Sequence, residues 1–532
     1  MNPSTEVLVV GAGPTGLMLA TQLGRRGIRA KIIDRHTGPA EQTRAMGVHA
    51  RTLEIYEKLG IAGRALELGR VMEAGNIWVR GRPKARIPLG VMGKGVSRYP
   101  FMLMLGQDDN ERILGDRLRD FGVAVQWQTE LLALERQPDH VVAQLRGPDG
   151  SVRTVTARYV AGCDGARSAV RELSGIGFPG APYEHVFFVA DTEATGPMVP
   201  GELNVYMWHD GFHLYFPMRG ADHWRVIGIL PQELRAKEGV TFEDVMPSLR
   251  GEGGGQIEFR SCAWFSTYRI HHRVTERFRS GRCFLLGDAA HVHSPMGAQG
   301  MNTGLQDAYN LAWKLALVVN GQAGDALLDS YEAERLPVAQ RLLGTTDRAF
   351  QFVVSKNRIG SLFRTRILPN VAAFAMSREA ARRIAFRTLS QTGIAYHRSP
   401  LSQALGGLAK DSPQPGDRFP WLHLRLRAGR AREDLFQCLD DTRFNLLVFG
   451  QPARVEALNL PADLLAVHEI ADDGENADEL ARVGIKGPAF YLLRPDGHVG
   501  LAGTRLDMSS VMRWFASAHL DVGAPIPWSK AS

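Results

Sequence analysis

Apolar positions follow one another along this chain in three different rhythms. Residues 7–10 are an unbroken Val-Leu-Val-Val run, the pattern of a parallel strand buried on both faces. Gly11-Ala12-Gly13-Pro14-Thr15-Gly16 follows, and then Leu17, Ala20, Leu23 and Gly24 recur at helical spacing until Gly27 supplies a stop. Residues 30–33 predict a second strand that ends in Asp34, so the chain opens as a βαβ unit. Leu53, Tyr56 and Leu59 predict a helix over 44–60, and a further helix is expected over 111–121 with a short strand at 123–125. Residues 141–145 and 152–160 read as paired strands joined through Gly147-Pro148-Asp149-Gly150.

From 183 to 278 the rhythm changes. Stretches at 205–208, 213–216 and 224–230 are β-like and helical signals are few, which predicts a mostly antiparallel sheet inserted into the first domain. Phe284-Leu285-Leu286 restores a buried strand, followed by a Gly-rich turn and a long helix over 304–319. Residues 345–400 are helical and basic, with Lys356, Arg358, Arg364, Arg366, Arg378, Arg382, Arg383 and Arg387; a solvated helix face is the plainer reading than an RNA or membrane contact. Turn residues at 412–417 mark a linker. Beyond it, strands at 445–449 and 464–470, a hairpin through Pro495-Asp496-Gly497 and a helix at 509–518 predict a small α/β domain. The expected division is 1–182 with 279–345 for the first domain, 183–278 for the insert, 346–411 helical, and 412–532 separate.

Composition narrows the class. The chain has 532 residues, enough for about three domains. With 44% hydrophobic and 22% charged residues it is an ordinary globular protein. Its net charge of +7 is spread along the chain rather than gathered, so an anionic small molecule is a better partner than nucleic acid. Cys163, Cys262, Cys283 and Cys438 lie far apart without zinc spacing, which predicts reduced thiols and no metal site. No signal peptide and no membrane span are expected, and the expected location is the cytoplasm.

The glycine-rich segment carries the first chemistry. Gly11 allows a tight turn, Gly13 admits a pyrophosphate against the backbone, and Gly16 permits helix–strand packing, while Pro14 and Thr15 begin the helix. The helix N-terminus then offers free amides and a positive dipole end to the phosphates. Asp34, 18 residues beyond Gly16, stands where a carboxylate accepts the hydroxyls of an adenosine ribose. Arg35 is either a reader of a 2′-phosphate or an exposed strand-end arginine.

Two later segments decide which dinucleotide is meant. Gly162-Cys163-Asp164-Gly165-Ala166-Arg167-Ser168 follows an apolar strand, and Gly287-Asp288-Ala289-Ala290-His291 precedes Pro295-Met296-Gly297-Ala298-Gln299-Gly300-Met301-Asn302. With these the chain resembles the FAD-dependent aromatic hydroxylases, the group A flavoprotein monooxygenases related to p-hydroxybenzoate hydroxylase, from Val7 to about Thr345. The resemblance implies a Rossmann-like FAD-binding domain of α/β class carrying an inserted antiparallel substrate sheet. The C-terminal domain resembles the thioredoxin-like α/β appendage of the larger phenol and polyketide hydroxylases. Since only Cys438 lies in it, a structural or oligomeric part is expected rather than a redox one. A homodimer is one form this could take.

The resemblance assigns roles by position. Asp288 is expected to accept from the ribityl hydroxyls, and Pro295, Gly297, Gly300, Met301 and Asn302 to bring backbone amides to the isoalloxazine. Gln107 and Glu111 match a flavin-side segment, Arg44 matches an arginine near the pyrophosphate, and Asp164 and Gly165 serve FAD and NAD(P)H, with Arg167 nearby. Asp34 replaces the family's usual Glu. On the inserted sheet, His213 and His209 are the candidate catalytic bases, with Tyr206, Trp208, Phe212, Tyr215 and Trp264 as a candidate apolar wall; His291 and His293 are candidates for a proton path. A second G-x-G-x-x-G, paired redox cysteines and the Trp-x-Trp-x-Ile-Pro of flavin halogenases are all missing. The implied reaction is NAD(P)H- and O2-dependent hydroxylation of a phenolic or polycyclic aromatic molecule through a flavin C4a-hydroperoxide. Epoxidation or Baeyer–Villiger-type insertion, and a non-catalytic flavin scaffold, are the alternatives.

Overall fold

The structure is a computed structural model that describes residues 4–40, 45–208, 211–294, 296–354, 367–426, 431–453, 463–470 and 474–520. Five parallel strands form its first sheet, in the order Val125–Gln126, Ala30–Ile33, Thr5–Val10, Val152–Gly162 and Cys283–Leu285. The hairpin Glu130–Arg136 and Val141–Arg146 extends it by antiparallel pairing with Val152–Gly162. Helices Pro14–Arg25, Gln107–Asp120 and Gly300–Val319 cover it, and their apolar stripes join the strands in one large core. Strand order reverses beside Thr5–Val10, and such a switch point opens a crevice at the carboxyl ends of the strands. Gly11 and Cys163 both stand there, anchored by Gly11 N to Ile33 O (2.8 Å) and Cys163 N to Val10 O (2.7 Å).

Eight strands make the second sheet. Their order is His291–Val292, Glu258–Val274, Gly180–Thr195, His223–Ile229, Phe212–Pro217, Leu203–Met207, Ala74–Val79 and Arg82–Pro88. Every pairing is antiparallel except that of Leu203–Met207 with Ala74–Val79. Alternation along the strands gives the sheet two faces. Phe188, Tyr206, Tyr215, Trp224 and Val226 pack with Phe242, Val245 and Leu249 of helix Phe242–Glu252. The opposite face carries Tyr183, Phe187, Phe212 and Ile229, bordered by half-buried Trp208, Leu214, Ile227 and Tyr268.

The insert is therefore less contiguous than 183–278. It starts at Gly180, and it recruits both a hairpin from residues 74–88 and the two residues that follow the ribityl segment. The hairpin escapes pattern reading because Arg82–Pro88 is an edge strand, with two prolines, two arginines and a lysine where alternation would have marked it. The boundary drawn at 345 falls inside one helix, Asp329–Val354.

Helices Leu368–Ser377 and Glu379–Leu389 occupy the basic region. The C-terminal α/β domain has strand order Gln403–Ala404, Val499–Gly503, Ala489–Leu493, Phe444–Phe449 and Leu465–Ile470, so its sheet also takes a strand from before the linker. Phe444–Phe449 runs parallel to Leu465–Ile470 and antiparallel to Ala489–Leu493. That arrangement agrees with a thioredoxin-like domain. Buried charges bind it to the first domain: Arg418 pairs with Glu54, which also accepts from Ser97 Oγ (2.6 Å) and Arg51 NH1 (3.2 Å). Arg51 NH2 in turn donates to Asp496 O (2.6 Å).

Candidate flavin site

Local geometry gives each glycine of the first loop its reason. Gly11 has φ +100, and a Cβ there would lie 2.3 Å from Cys163 O; at Gly16 a Cβ would lie 1.9 Å from Gly11 O. Both contacts are with backbone, so neither position admits a side chain. Gly13 differs, because nothing lies within 4 Å of its Cβ direction. That open space at the first turn of helix Pro14–Arg25 is the volume a pyrophosphate takes. Asp34 braces the loop: its Oδ2 accepts from Ala12 N (2.7 Å), and its Oδ1 from His36 N (2.9 Å) and His36 Nδ1 (2.7 Å). A carboxylate has about four acceptor sites, so capacity remains for a ribose hydroxyl. Arg35 is exposed.

Glu111 ties the next segment down. Its Oε2 accepts from Ala40 N (2.8 Å) and its Oε1 from Gln107 Nε2 (2.9 Å), and burial raises its carboxyl above the usual range. Gln107 N donates to Ala45 O (2.9 Å). Arg44, His209 and Pro295 lie outside the described residues. Asp164 turns inward, accepting from Ser168 Oγ (2.5 Å) and Val170 N (3.2 Å) at the start of helix Ala169–Leu173. Its carboxylate therefore shapes the turn, and burial raises its pKa. Gly165, at φ +78 with open space around it, is the member of the pair that leaves room for a cofactor. Arg167 is exposed beside it.

The ribityl segment and the flavin helix meet the first loop at Thr15. A Cβ on Gly287 would come within 2.7 Å of Thr15 Oγ1, and one on Gly304 within 2.3 Å. Asp288 is exposed on the short helical turn Gly287–Ala289. Helix Gly300–Val319 closes its first internal bond at Thr303 N to Gln299 O (2.9 Å), so the amides of Gly300, Met301 and Asn302 precede the ladder. Gly297, at φ +74, shapes the approach and its carbonyl accepts from His49 Nε2 (2.7 Å). Asn302 is wholly buried, and its side chain is spent on structure: Nδ2 donates to Gly47 O and Ala298 O (both 2.8 Å), and Oδ1 accepts from His49 N (2.9 Å) and Thr52 Oγ1 (2.7 Å). Only its amide faces the cofactor end of the helix.

His293 is placed at the same end. Its Nδ1 donates to Ser294 O (2.8 Å), so the neutral ring carries a bare Nε2 that is buried without a partner among the described residues, beside the Cβ direction of Gly300 (3.6 Å). Burial first, then neighbouring His291, holds its pKa at about 4. Open space at Gly13 and Gly165, three free helix amides and this orphaned nitrogen are what an FAD lying across the crevice would satisfy. The residues fit the group.

The FAD binding domain family matches residues 4–346. A 6-methylpretetramide 4-monooxygenase of Streptomyces rimosus is 34% identical, spanning 97% of this chain and 94% of the relative. Pentachlorophenol 4-monooxygenase of Sphingobium chlorophenolicum is 32% identical over 83% of this chain and 79% of its own. The crystal structure of aklavinone-11 hydroxylase with FAD and aklavinone superposes with a TM-score of 0.79 at 25% identity, covering 98% of this chain and 99% of that one. The chain belongs to the FAD-dependent aromatic hydroxylases. It is an FAD-dependent monooxygenase that hydroxylates an aromatic substrate.

One candidate of the hydroxylase changes character. His213 is 1% exposed, on the sheet face covered by helix Phe242–Glu252, and Gly228 leaves room for its ring beside Phe188. Trp208 lies against it at 4.1 Å between centroids, and among the described residues neither ring nitrogen has a hydrogen-bond partner. Burial alone lowers its pKa to about 3, too weak a base for phenol chemistry at neutral pH. The catalytic reading of His213 gives way to a packing one. Tyr206 and Tyr215 share that covered face.

Sequence reading passed over His49, Asp307, Arg335 and Gln391. Gln391 Nε2 donates to Thr303 Oγ1 (2.7 Å), and its Oε1 accepts from Gln306 Nε2 (2.5 Å), which clamps the flavin helix at its first turn. The signal was present in the helix itself, where Thr303, Asp307, Asn310 and Lys314 form a polar stripe at helical spacing among apolar residues.

Two expectations follow from this geometry. Gly13→Ala should leave the melting temperature of the FAD-free protein unchanged but weaken FAD binding by about tenfold or more, whereas Gly16→Ala should destabilise the FAD-free protein itself. Calorimetry of the apoprotein with FAD titration separates them. The second concerns pH. With its folded pKa depressed from 6.5 to about 3, His213 gives its full stability above about 6.5 and loses it as pH falls toward 3, at up to about 1.4 kcal/mol per pH unit. Urea unfolding of His213→Phe should show a shallower loss of stability over that acid range than the natural chain; equal slopes would contradict the burial argument.

Proposed function

We propose that the hydroxylase acts on a planar, polycyclic phenol, taking electrons from NAD(P)H and one oxygen atom from O2. Bound FAD supplies the redox chemistry and the activation of oxygen. The observation that carries the substrate reading is the aromatic face of the second sheet opposite helix Phe242–Glu252. Phe187, Phe212 and Ile229 give it a buried apolar floor, and Trp208, Leu214, Ile227 and Tyr268 border it half-buried. A flat hydrocarbon framework is what such a surface accepts. The relatives named for 6-methylpretetramide and aklavinone support a substrate of that kind, and the relative named for pentachlorophenol supplies the single-ring alternative.

The chain's own groups have distinct tasks. The N-terminus of helix Pro14–Arg25 holds the pyrophosphate, with Gly13 giving it access. Asp288 accepts from the ribityl hydroxyls. The amides of Gly300, Met301 and Asn302, at the positive end of a 20-residue helix, favour negative charge on the flavin's pyrimidine edge. His293 Nε2 stands ready to accept a hydrogen bond there. Burial raises Tyr268 to about 12, so its hydroxyl keeps its proton at neutral pH and can donate to a phenolic oxygen. The apolar face excludes water around the transferred oxygen atom.

Anaerobic stopped-flow reduction of the bound flavin by NADH and by NADPH tests this, with polycyclic phenols, simple phenols and phenylpropionates compared. Polycyclic phenols are expected to speed reduction by about tenfold or more. Acceleration by simple phenols alone, or by none of the compounds, would contradict the substrate reading.

A further inference from the structure

Asp307 lies two turns into the flavin helix with no exposure to water. A lone carboxylate there would be very costly, so its partners define its role. Its Oδ2 accepts from Gly287 N (3.0 Å) and His291 Nε2 (2.8 Å), and its Oδ1 from Arg335 Nε (2.7 Å). The first two donors bracket Asp288 in sequence, one residue before it and three after. Asp307 therefore pins both sides of the segment that presents the Asp288 carboxylate. Burial by itself would raise the Asp307 carboxyl, but Arg335 and His291 hold it below the usual range, so it stays charged.

Arg335 is committed on every arm. Beyond Asp307, its NH2 donates to Thr303 O (3.1 Å) in the first turn of the flavin helix, and its NH1 to the Tyr396 hydroxyl (3.0 Å). Tyr396 belongs to the segment that the C-terminal domain holds. Its amide donates to Gly416 O (2.8 Å), its ring lies 4.3 Å from that of His498, and the Arg494 guanidinium sits over it at 5.4 Å. Arg494 also binds Glu334, the neighbour of Arg335, through two bonds (2.5 and 3.0 Å). Glu334 in turn accepts from Lys314 (2.8 Å) and Asn310 (2.7 Å) of the flavin helix. The C-terminal domain thus reaches the ribityl segment through side chains that are all buried.

We propose that Asp307 is the positioning residue for the ribityl segment, and that Tyr396 couples it to the C-terminal domain, so that this domain helps to set the affinity for FAD. The proposal rests on the FAD site described above. It gives the C-terminal domain a part in cofactor binding at a distance, without contact to the cofactor.

The test compares the FAD-free and FAD-loaded full-length chain in the natural sequence, Tyr396→Phe, Asp307→Asn and Lys58→Met. Lys58 Nζ donates to Leu439 O (2.5 Å), an interdomain bond outside the cluster. FAD affinity is read by fluorescence titration of the apoprotein, and melting temperature is read with and without FAD. A bound ligand raises the melting temperature according to its affinity, so a residue that only supports the fold lowers both forms alike. Tyr396→Phe is expected to raise the dissociation constant for FAD about tenfold and to shrink the FAD-induced rise in melting temperature. Asp307→Asn should do so more strongly, and Lys58→Met should lower both melting temperatures equally at unchanged affinity. If Tyr396→Phe lowered both melting temperatures equally at unchanged affinity, the coupling would be refuted, whether or not Asp307→Asn folds. Failure of the natural chain to take up FAD would instead remove the site reading, and the proposal with it.

Discussion

A negative charge sealed inside a helix is the constraint around which this hydroxylase is arranged. Asp307 cannot be hydrated, so a glycine amide, a histidine and an arginine must all reach it. Meeting that demand fixes the segment after the strand Cys283–Leu285, the first turn of helix Gly300–Val319 and the start of helix Asp329–Val354 in one geometry. Thr15 then fits between Gly287 and Gly304 with no room for a methyl on either. The three segments expected to hold FAD are thereby set against one another by contacts within the chain itself.

Much of the first domain was legible because its sequence signals are local. An unbroken apolar run, glycines at fixed offsets and an acid at the end of the second strand each have a short-range cause, and they point the same way. The uses of Asp164 and Asn302 were less legible. Motif position brought them to the expected site, but their side chains serve the turn and the helix clamp. The hairpin at 74–88 was hidden by its edge position. His213 misled because histidine on a strand has chemistry in isolation; which face of the sheet it occupies depends on helix Phe242–Glu252, about thirty residues away. Arg335, Tyr396 and Arg494 were invisible for the same reason, since their partners are distant in sequence.

Charge is distributed in this protein by task. The crevice expected to take the cofactor offers backbone amides, a helix end and His49 and His293, both held neutral by burial, and Asp288 is exposed. Full ion pairs are kept behind it: Glu334 with Lys314 and Arg494, and Glu54 with Arg418 and Arg51, two clusters in which Arg494 and Arg418 come from the C-terminal domain. Buried pairs of this kind contribute little net stability but tolerate only one arrangement of their partners. The sheet face opposite helix Phe242–Glu252, by contrast, is apolar and aromatic.

The central claim is that this chain transfers an oxygen atom from O2 to an aromatic ring, and isotope labelling addresses it most directly. With a polycyclic phenol, NAD(P)H and 18O2, the product should carry one labelled oxygen and become heavier by the mass of a single 18O. Reaction under ordinary O2 in 18O-labelled water should leave the product unlabelled. Label drawn from water, or NAD(P)H consumed with hydrogen peroxide as the sole oxygen product for every aromatic compound supplied, would contradict the account.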